Sequence, residues 1–273
     1  MSFERLVRFA PKGKEGEVLI GQPVDSNVDV GKAVRNGEEV QVKVFSGDSA
    51  LNPGSLTDKV ETIARILSPL SASEVGSIRC IGLNVICEPC EGGKHAAPRR
   101  SNDVHHTLAD DCADYESELV IVIGKTCKNV SEADALDYVL GYTAGNDVSS
   151  RKSQLAQSQA CYSKGFDGSC PIGPVIVSSA VVKDPSTLTI RGLKNGEVTQ
   201  SSGLNDMIFN CSKLVSFLSQ GTTLLPGTVI LTGTPAGVGY GKKPPSYLHE
   251  GDEFAVEVTP HVGTLYSVFE NEK

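Results

Sequence analysis

No stretch of this sequence approaches the roughly 18 consecutive apolar residues of a membrane-spanning helix. The opening segment, MSFERLVRFAPKGKEG, lacks the apolar core of a secretory signal and the Arg- and Ser-rich amphipathic pattern of a transit peptide. These absences predict a cytoplasmic protein, in which the eight cysteines are thiols rather than a disulfide framework. Positive charge is also scarce. With 25 Lys and Arg against 33 Asp and Glu, the formal charge of −8 argues against nucleic-acid or membrane-surface binding, because both need a basic face. A small anionic substrate is still compatible, since a pocket's local field can oppose the overall sign. There is no internal repeat and no low-complexity tract.

The 273 residues suffice for one large domain, or for a large domain with a small partner, and 39% hydrophobic with 21% charged residues is ordinary for a packed core. Up to about Pro53, short apolar runs (RLVRF, GEVLIGQPV, EEVQVKVF) alternate with turns and predict a small antiparallel unit. SLTDKVETIARILSPL then reads as a helix, with Val60, Ile63, Ala64 and Leu67 at helical spacing, Thr57 or Asp58 as N-cap and Pro69 beyond the end. SIRCIGLNV predicts the next strand and the opening of the main domain. From Cys87 to Asp114 periodicity is lost, as in a lid or binding loop.

SELVIVIG predicts a strand buried on both faces. SEADALDYVLG reads as a short helix capped by Ser131 and Asp134, and GYTAGNDVS as extended chain. GPVIVSSAVV, TLTIRGLKNGEVTQSS and TVILTGTPAGVG predict further strands, with Asn195-Gly196 as a hairpin turn. MIFNCSKLVSFLSQG reads as a helix with Ile208, Cys211, Leu214, Val215 and Leu218 inward. The fold class is α+β, mostly strand, with three or four helices.

The chemistry begins at DYESELVIVIG. Strand side chains alternate with period two, so Glu116 and Glu118 share a face with Val120 and Val122. Two ionised carboxylates on a dry face repel each other and lose hydration unless a cation lies between them. A hard divalent ion held by oxygen ligands resolves both problems, whereas a solvent-exposed strand end removes the problem altogether. AGNDVSSRKSQ supplies Asp147 as a third carboxylate or a plain turn residue. Its Arg151 has a planar fork suited to a carboxylate or an oxyanion, and Gln154 reaches the same oxygen. SKGFDGSCPIGP presents Lys164 as a point charge for an oxyanion, or as a solvated loop residue. ILTGTPAGVGYG places Gly233 and Thr234 just past a strand, where glycines allow close backbone approach to a ligand.

DYESEL, GYTAGNDVS, SKGFDGSCPIGP and GTVILTGTPAGVG, in this order and spacing and together with FERLVRFA and IRCIGLN, resemble the fumarylacetoacetate hydrolase family. The resemblance covers nearly the whole chain. It implies a layered, β-rich α+β fold with a smaller N-terminal unit, here residues 1–75, before a catalytic domain, residues 76–273, and a homodimer. It implies one Mg²⁺, or Mn²⁺ or Ca²⁺, on Glu116, Glu118 and Asp147, chelated by a 1,3-dicarbonyl or 2-oxo acid of the acylpyruvate, fumarylpyruvate or oxaloacetate type. Arg151, Gln154 and Lys164 then polarise the carbonyl and stabilise an enolate, and Thr234 with Gly233 holds a substrate carboxylate. The implied reactions are C–C bond hydrolysis, decarboxylation and keto–enol tautomerisation.

The sequence leaves the family pattern at GLNVICEPCEGG. Where related hydrolases carry a His and, three residues later, a Glu that activate water, this chain has Glu88 and Glu91. Two neighbouring carboxylates that share a proton, or His95, His105 or His106 from the altered loop, are the alternatives for the base. Cys87, Cys90, Cys112 and the loop histidines also form a candidate zinc set. It lacks a second well-spaced pair, and its Gly-rich spacers do not fix ligand geometry. Two functional readings follow. One is a metal-dependent enzyme, either a C–C hydrolase or lyase or a tautomerase that needs no activated water. The other is a silent relative that has lost turnover with its lid.

Overall fold

Each of the seven residues of the strand Ser117–Ile123 is buried, and alternate residues serve different cores. Leu119, Ile121 and Ile123 pack with Val175, Ile190, Phe254 and Val258. Val120 and Val122 pack with Leu6, Ile176, Val229 and Leu231. A strand covered on both faces needs a continuous apolar run, which is the pattern the sequence carries.

The computed structural model describes residues 3–82, 84, 94–96, 103–105, 112–156 and 158–271. Among them, ten strands form one sheet in the order Leu19–Pro23, Gln41–Phe45, Leu56–Leu67, Arg5–Pro11, Ile172–Ser178, Val139–Asn146, Ser117–Ile123, Val229–Leu231, Ile78–Cys80 and Lys94–Ala96. A second sheet, ordered Glu197–Gly203, Thr189–Lys194, Glu253–Thr259, Gly263–Glu270 and Asp103–His105, packs across the middle of the first, and its Ile190, Val256, Val258 and Leu265 enter the shared core. The α-helices among the described residues are short: Val30–Arg35, Arg151–Ala156 and Cys211–Ser219. The fold is mostly β with few helices, as the sequence predicts.

Two predicted helices are replaced by other structure. Leu56–Leu67 is a twelve-residue strand that pairs with Arg5–Pro11 on one side and Gln41–Phe45 on the other. Its apolar residues fit a helical stripe, but Thr57, Val60, Thr62, Ile63 and Ile66 are β-branched, and two neighbouring strands offer a full hydrogen-bond ladder. The helix of the N-terminal region is instead Val30–Arg35, where Asp29 caps Lys32 N at 3.0 Å. In SEADALDYVLG, Ser131 and Asp134 do bond each other, but only the 3₁₀ turn Ala135–Tyr138 forms. Val139 and Leu140 already belong to a strand. In the helix Cys211–Ser219, Cys211, Leu214 and Val215 are buried as expected, while Ile208 precedes the helix and is exposed.

The hairpin between Thr189–Lys194 and Glu197–Gly203 turns at Asn195 (φ 50°) and Gly196 (φ 82°), the double left-handed geometry of a type I′ turn. A Cβ at Gly196 would meet nothing within 4 Å, so only backbone strain opposes a side chain. Gly196→Ala should destabilise the fold by about 1–2 kcal/mol, read as a lower urea midpoint at unchanged slope.

The register brings the site together. Asn146 lies opposite Ser117 and Gly145 opposite Glu118, so the turn that follows Asn146 is delivered beside the two glutamates.

Candidate metal and substrate centre

Glu116 and Glu118 project from the start of the central strand, and Asp147 from the turn after Val139–Asn146. Two main-chain-directed bonds hold the junction: Glu116 N donates to Asn146 Oδ1 at 2.9 Å, and Asp147 N to Glu116 O at 2.9 Å. One carboxylate oxygen from each of Glu116, Glu118 and Asp147 lies within 4.8 Å of the others, and all three residues are buried. Buried Lys164, at the end of the 3₁₀ turn Ala160–Lys164, donates to Glu116 Oε2 at 2.5 Å and to Asp147 Oδ2. Arg151, the first residue of its helix, donates through Nε to Asp114 Oδ2 at 2.7 Å and through Nη1 to Gln154 Oε1 at 2.9 Å. The same Nη1 lies 2.8 Å from Glu116 Oε1.

The charges do not balance. Among the described residues, the buried carboxylates of Asp114, Glu116, Glu118 and Asp147 face two buried cations, Lys164 and Arg151. Two negative charges are in excess, the complement of one divalent ion. Burial, and next the charge of Asp147, hold the Glu118 carboxyl well above the ordinary glutamate range, against the opposing pull of Lys164 and of the Gly233 N–H. Burial disfavours the Lys164 ammonium, but Asp147, Glu116 and Glu118 together outweigh it and raise its pKa. Burial and the charge of Asp147 also push up the thiols of Cys80 and Cys170, so neither sulfur adds negative charge. An all-oxygen set of three carboxylates in a site short of two positive charges fits a hard divalent ion.

A loop carries the opposite wall. Thr232 donates twice to Leu119 O, from N at 3.1 Å and from Oγ1 at 3.0 Å. Gly233 N donates to Glu118 Oε2 at 2.6 Å. Gly233 has φ +100°, and a Cβ there would lie 2.9 Å from the Asn84 Cβ, so both backbone geometry and space require glycine. Farther along, Tyr115 Oη donates to Gly237 O at 3.2 Å, and Gly239 N and Tyr240 N donate to Asp114. The loop 232–240 is thus fastened, stage by stage, to residues 114–119.

The structure brings Glu116, Glu118 and Asp147 into one cluster, with Lys164, Arg151 and Gln154 beside it and Gly233 and Thr234 on the facing loop. Glu88, Glu91, Cys87, Cys90 and His106 lie outside the described residues, and His95 and His105 fall in the short strands Lys94–Ala96 and Asp103–His105. Of the candidate zinc ligands, Cys112 is buried with its sulfur 3.7 Å from Ser150 Oγ. Sequence reasoning missed Asp114, Asn146 and Gln200. Asp114 was within reach, because the period of two that pairs Glu116 with Glu118 also includes it. Gln200, in the hairpin strand GEVTQSS, carries no sequence signal for a site.

A family model, the C-terminal region of fumarylacetoacetate (FAA) hydrolase, matches residues 93–269. Caffeoylpyruvate hydrolase of Neonothopanus nambi is 40% identical over 293 residues, covering 100% of this chain and 95% of that protein. Oxaloacetate tautomerase of Bacillus subtilis is 43% identical over 152 residues, covering 56% of this chain and 50% of that protein. The solved fumarylacetoacetate hydrolase of Exiguobacterium antarcticum superposes with a TM-score of 0.80 at 27% identity, over 99% of this chain and 100% of that one. The chain belongs to the fumarylacetoacetate hydrolase family, whose named relatives here are hydrolase and tautomerase enzymes.

Proposed function

We propose that this protein is a Mg²⁺-dependent hydrolase or lyase that breaks a C–C bond of a small 1,3-dicarbonyl or 2-oxo acid, by hydrolysis for the acylpyruvate or fumarylpyruvate type and by decarboxylation for the oxaloacetate type. The observation that carries this reading is the buried cluster of Glu116, Glu118 and Asp147, which together with Asp114 outnumbers the cations Lys164 and Arg151 by two among the described residues. Full-length similarity to a caffeoylpyruvate hydrolase supports the acylpyruvate class. Glu116, Glu118 and Asp147 would hold the ion, with Mn²⁺ or Ca²⁺ able to use the same oxygens. When bound, it would supply Lewis-acid polarisation of the substrate's carbonyl oxygen.

The chain's own residues do the rest. Lys164 presents a buried ammonium to an oxygen that gains negative charge. Arg151, fixed by Asp114 and Glu116, and Gln154 orient the oxo-acid end, while Thr234 and Gly233 face its carboxylate. In hydrolysis, the oxygen of water bonds to the acyl carbonyl carbon and the bond from that carbon to the neighbouring methylene breaks. The electron pair stays with the methylene carbon, which takes up a proton, so that a carboxylic acid and pyruvate leave. Glu88 or Glu91 is assigned to accept the proton from water. A second reading, keto–enol tautomerisation, draws support from the similarity to an oxaloacetate tautomerase and needs no activated water.

The protein is further proposed as a cytoplasmic homodimer; among the described residues no helix is long and apolar enough to cross a membrane. Residues 1–75 are proposed as a small N-terminal unit, because their strands occupy one contiguous end of the ten-stranded sheet, and 76–273 as the catalytic unit.

Turnover of an acylpyruvate, fumarylpyruvate and enol-oxaloacetate, each with Mg²⁺ and with EDTA, tests the proposal. The expected result is metal-dependent loss of the acylpyruvate enol absorbance with equimolar pyruvate. Loss of enol without cleavage selects the tautomerase reading. Absence of turnover on all three, with the ion bound, overturns both.

A further inference from the structure

Gln200 is 1% exposed and sits behind the substrate loop, in a hairpin strand that contributes no other residue to the site. Its Oε1 accepts from Ser117 N at 3.0 Å, and its Nε2 donates to Pro235 O at 2.8 Å and to Thr234 Oγ1 at 2.7 Å. Two of these partners are main-chain groups of fixed polarity: an amide N–H only donates and a carbonyl only accepts. Turning the side-chain amide over would set NH₂ against N–H and oxygen against carbonyl. The orientation is therefore locked, and Thr234 Oγ1 is obliged to accept.

A hydroxyl has one hydrogen and two lone pairs. With a lone pair engaged by Gln200, the Thr234 hydrogen has no acceptor among the described residues and is available to donate. The preceding residue, Gly233, donates to Glu118 Oε2, so Thr234 stands one residue from the metal cluster. We infer that Gln200 is a positioning residue that sets the hydrogen-bond polarity of Thr234, and that this polarity gives the site its preference for a substrate carboxylate over the corresponding amide. The inference rests on the proposed oxo-acid reading and deepens it. A carboxylate can only accept, so it matches a donor-presenting threonine; an amide is the group that gains when the polarity is reversed.

Gln200→Glu reverses it. The new carboxylate still accepts from Ser117 N, while its second oxygen meets both Pro235 O and Thr234 Oγ1; at a pH where it is ionised, it draws the threonine hydrogen away from the ligand, leaving lone pairs toward the site. Oxalate and oxamate are suitable probes, being near-isosteric ligands in which one carboxylate is exchanged for an amide. Their affinities are measured by calorimetry on the full chain loaded with Mn²⁺, with no turnover required. With Mn²⁺ saturating in every protein, Gln200→Glu is expected to weaken oxalate at least about tenfold more than oxamate, since oxamate can turn its amide to the altered threonine. Gln200→Met, which removes the polarity without reversing it, should weaken the two ligands equally. Equal weakening in Gln200→Glu, or the same discrimination in Gln200→Met, overturns the inference and leaves the oxo-acid reading standing. If the Mn²⁺-loaded unmodified protein binds neither ligand, the oxo-acid reading falls and this inference with it. Should Gln200→Glu fail to fold, Thr234→Val deletes the hydroxyl in a similar shape. It is expected to weaken oxalate several-fold, and unchanged oxalate affinity in that variant also overturns the assignment.

Discussion

Glu118→Gln should lower turnover by about a thousandfold, equivalent to about 4 kcal/mol, and at the same time raise the melting temperature of the metal-free protein. The two effects have one cause. Glu118 is 2% exposed and lies against Glu116 and Asp147, while Lys164 bonds those two and not Glu118. Without the ion its charge is the least compensated of the three. A neutral amide keeps a comparable shape and can still accept the Gly233 N–H, and at pH above the raised range of Glu118 it removes one unit of buried repulsion. A gain of about 1–2 kcal/mol is reasonable for relieving an uncompensated buried charge, or roughly 2–6 °C for a chain of this size.

The pH dependence follows with a definite sign. The folded-state pKa of Glu118 is raised, so the folded protein retains a proton that the unfolded chain has released. Stability of the metal-free protein therefore falls as pH rises from the ordinary glutamate range toward the raised value. Glu118→Gln should flatten that part of the profile, and a saturating divalent ion should offset it by binding only the folded form. Scanning calorimetry of both proteins across pH, with EDTA and with Mg²⁺, checks all three expectations. A variant that melts lower than the parent in EDTA would show that Glu118 is stabilising without metal, contrary to the charge balance read from the cluster.

How much of this was legible beforehand depends on the range of the interaction. The central strand was readable because burial on both faces imposes a local signature, the unbroken run from Leu119 to Ile123. The Asn195-Gly196 turn was readable because left-handed backbone selects those residues locally. Leu56–Leu67 was misread because its helical spacing is equally local, whereas the ladders that make it a strand come from Arg5–Pro11 and Gln41–Phe45, distant in sequence. The site divides in the same way. Glu116 and Glu118 declare themselves by a spacing of two, and the remaining acidic and basic groups followed from family resemblance. Gln200 matters through Ser117 and Thr234, 83 and 34 residues away, and no window of sequence displays such a contact. Asp114 differs: its four partners, Arg151 Nε and the N–H groups of Tyr115, Gly239 and Tyr240, are mostly remote, yet its parity with the two glutamates was visible.

Lys164→Met should have the opposite stability signature to Glu118→Gln. Lys164 is 5% exposed, and its ammonium is the shared partner of Glu116 and Asp147. Methionine fills much of the same volume without charge, so the packing loss is small and the electrostatic loss dominates. Removing one member of a buried ion pair typically costs about 3–5 kcal/mol, because the other member is left uncompensated. Here Asp147 and Glu116 both lose the Lys164 ammonium, Glu116 keeping Arg151 at 2.8 Å, and Glu118 loses the charge that partly offsets its neighbours. The metal-free variant should melt roughly 6–15 °C below the parent, and it should gain more from Mg²⁺ than the parent does, because the ion becomes the main source of positive charge beside Arg151. Turnover should stay lost even at saturating Mg²⁺, since an ion that restores the fold does not replace an ammonium directed at the reacting oxygen. Lys164→Arg tests whether charge alone is sufficient: its rigid planar fork should recover part of the melting temperature but little activity. If Lys164→Met were as stable as the parent in EDTA, the cluster would have to be holding protons in place of the lysine, and its deficit of positive charge, on which the metal assignment rests, would be smaller than the four carboxylates and two cations imply.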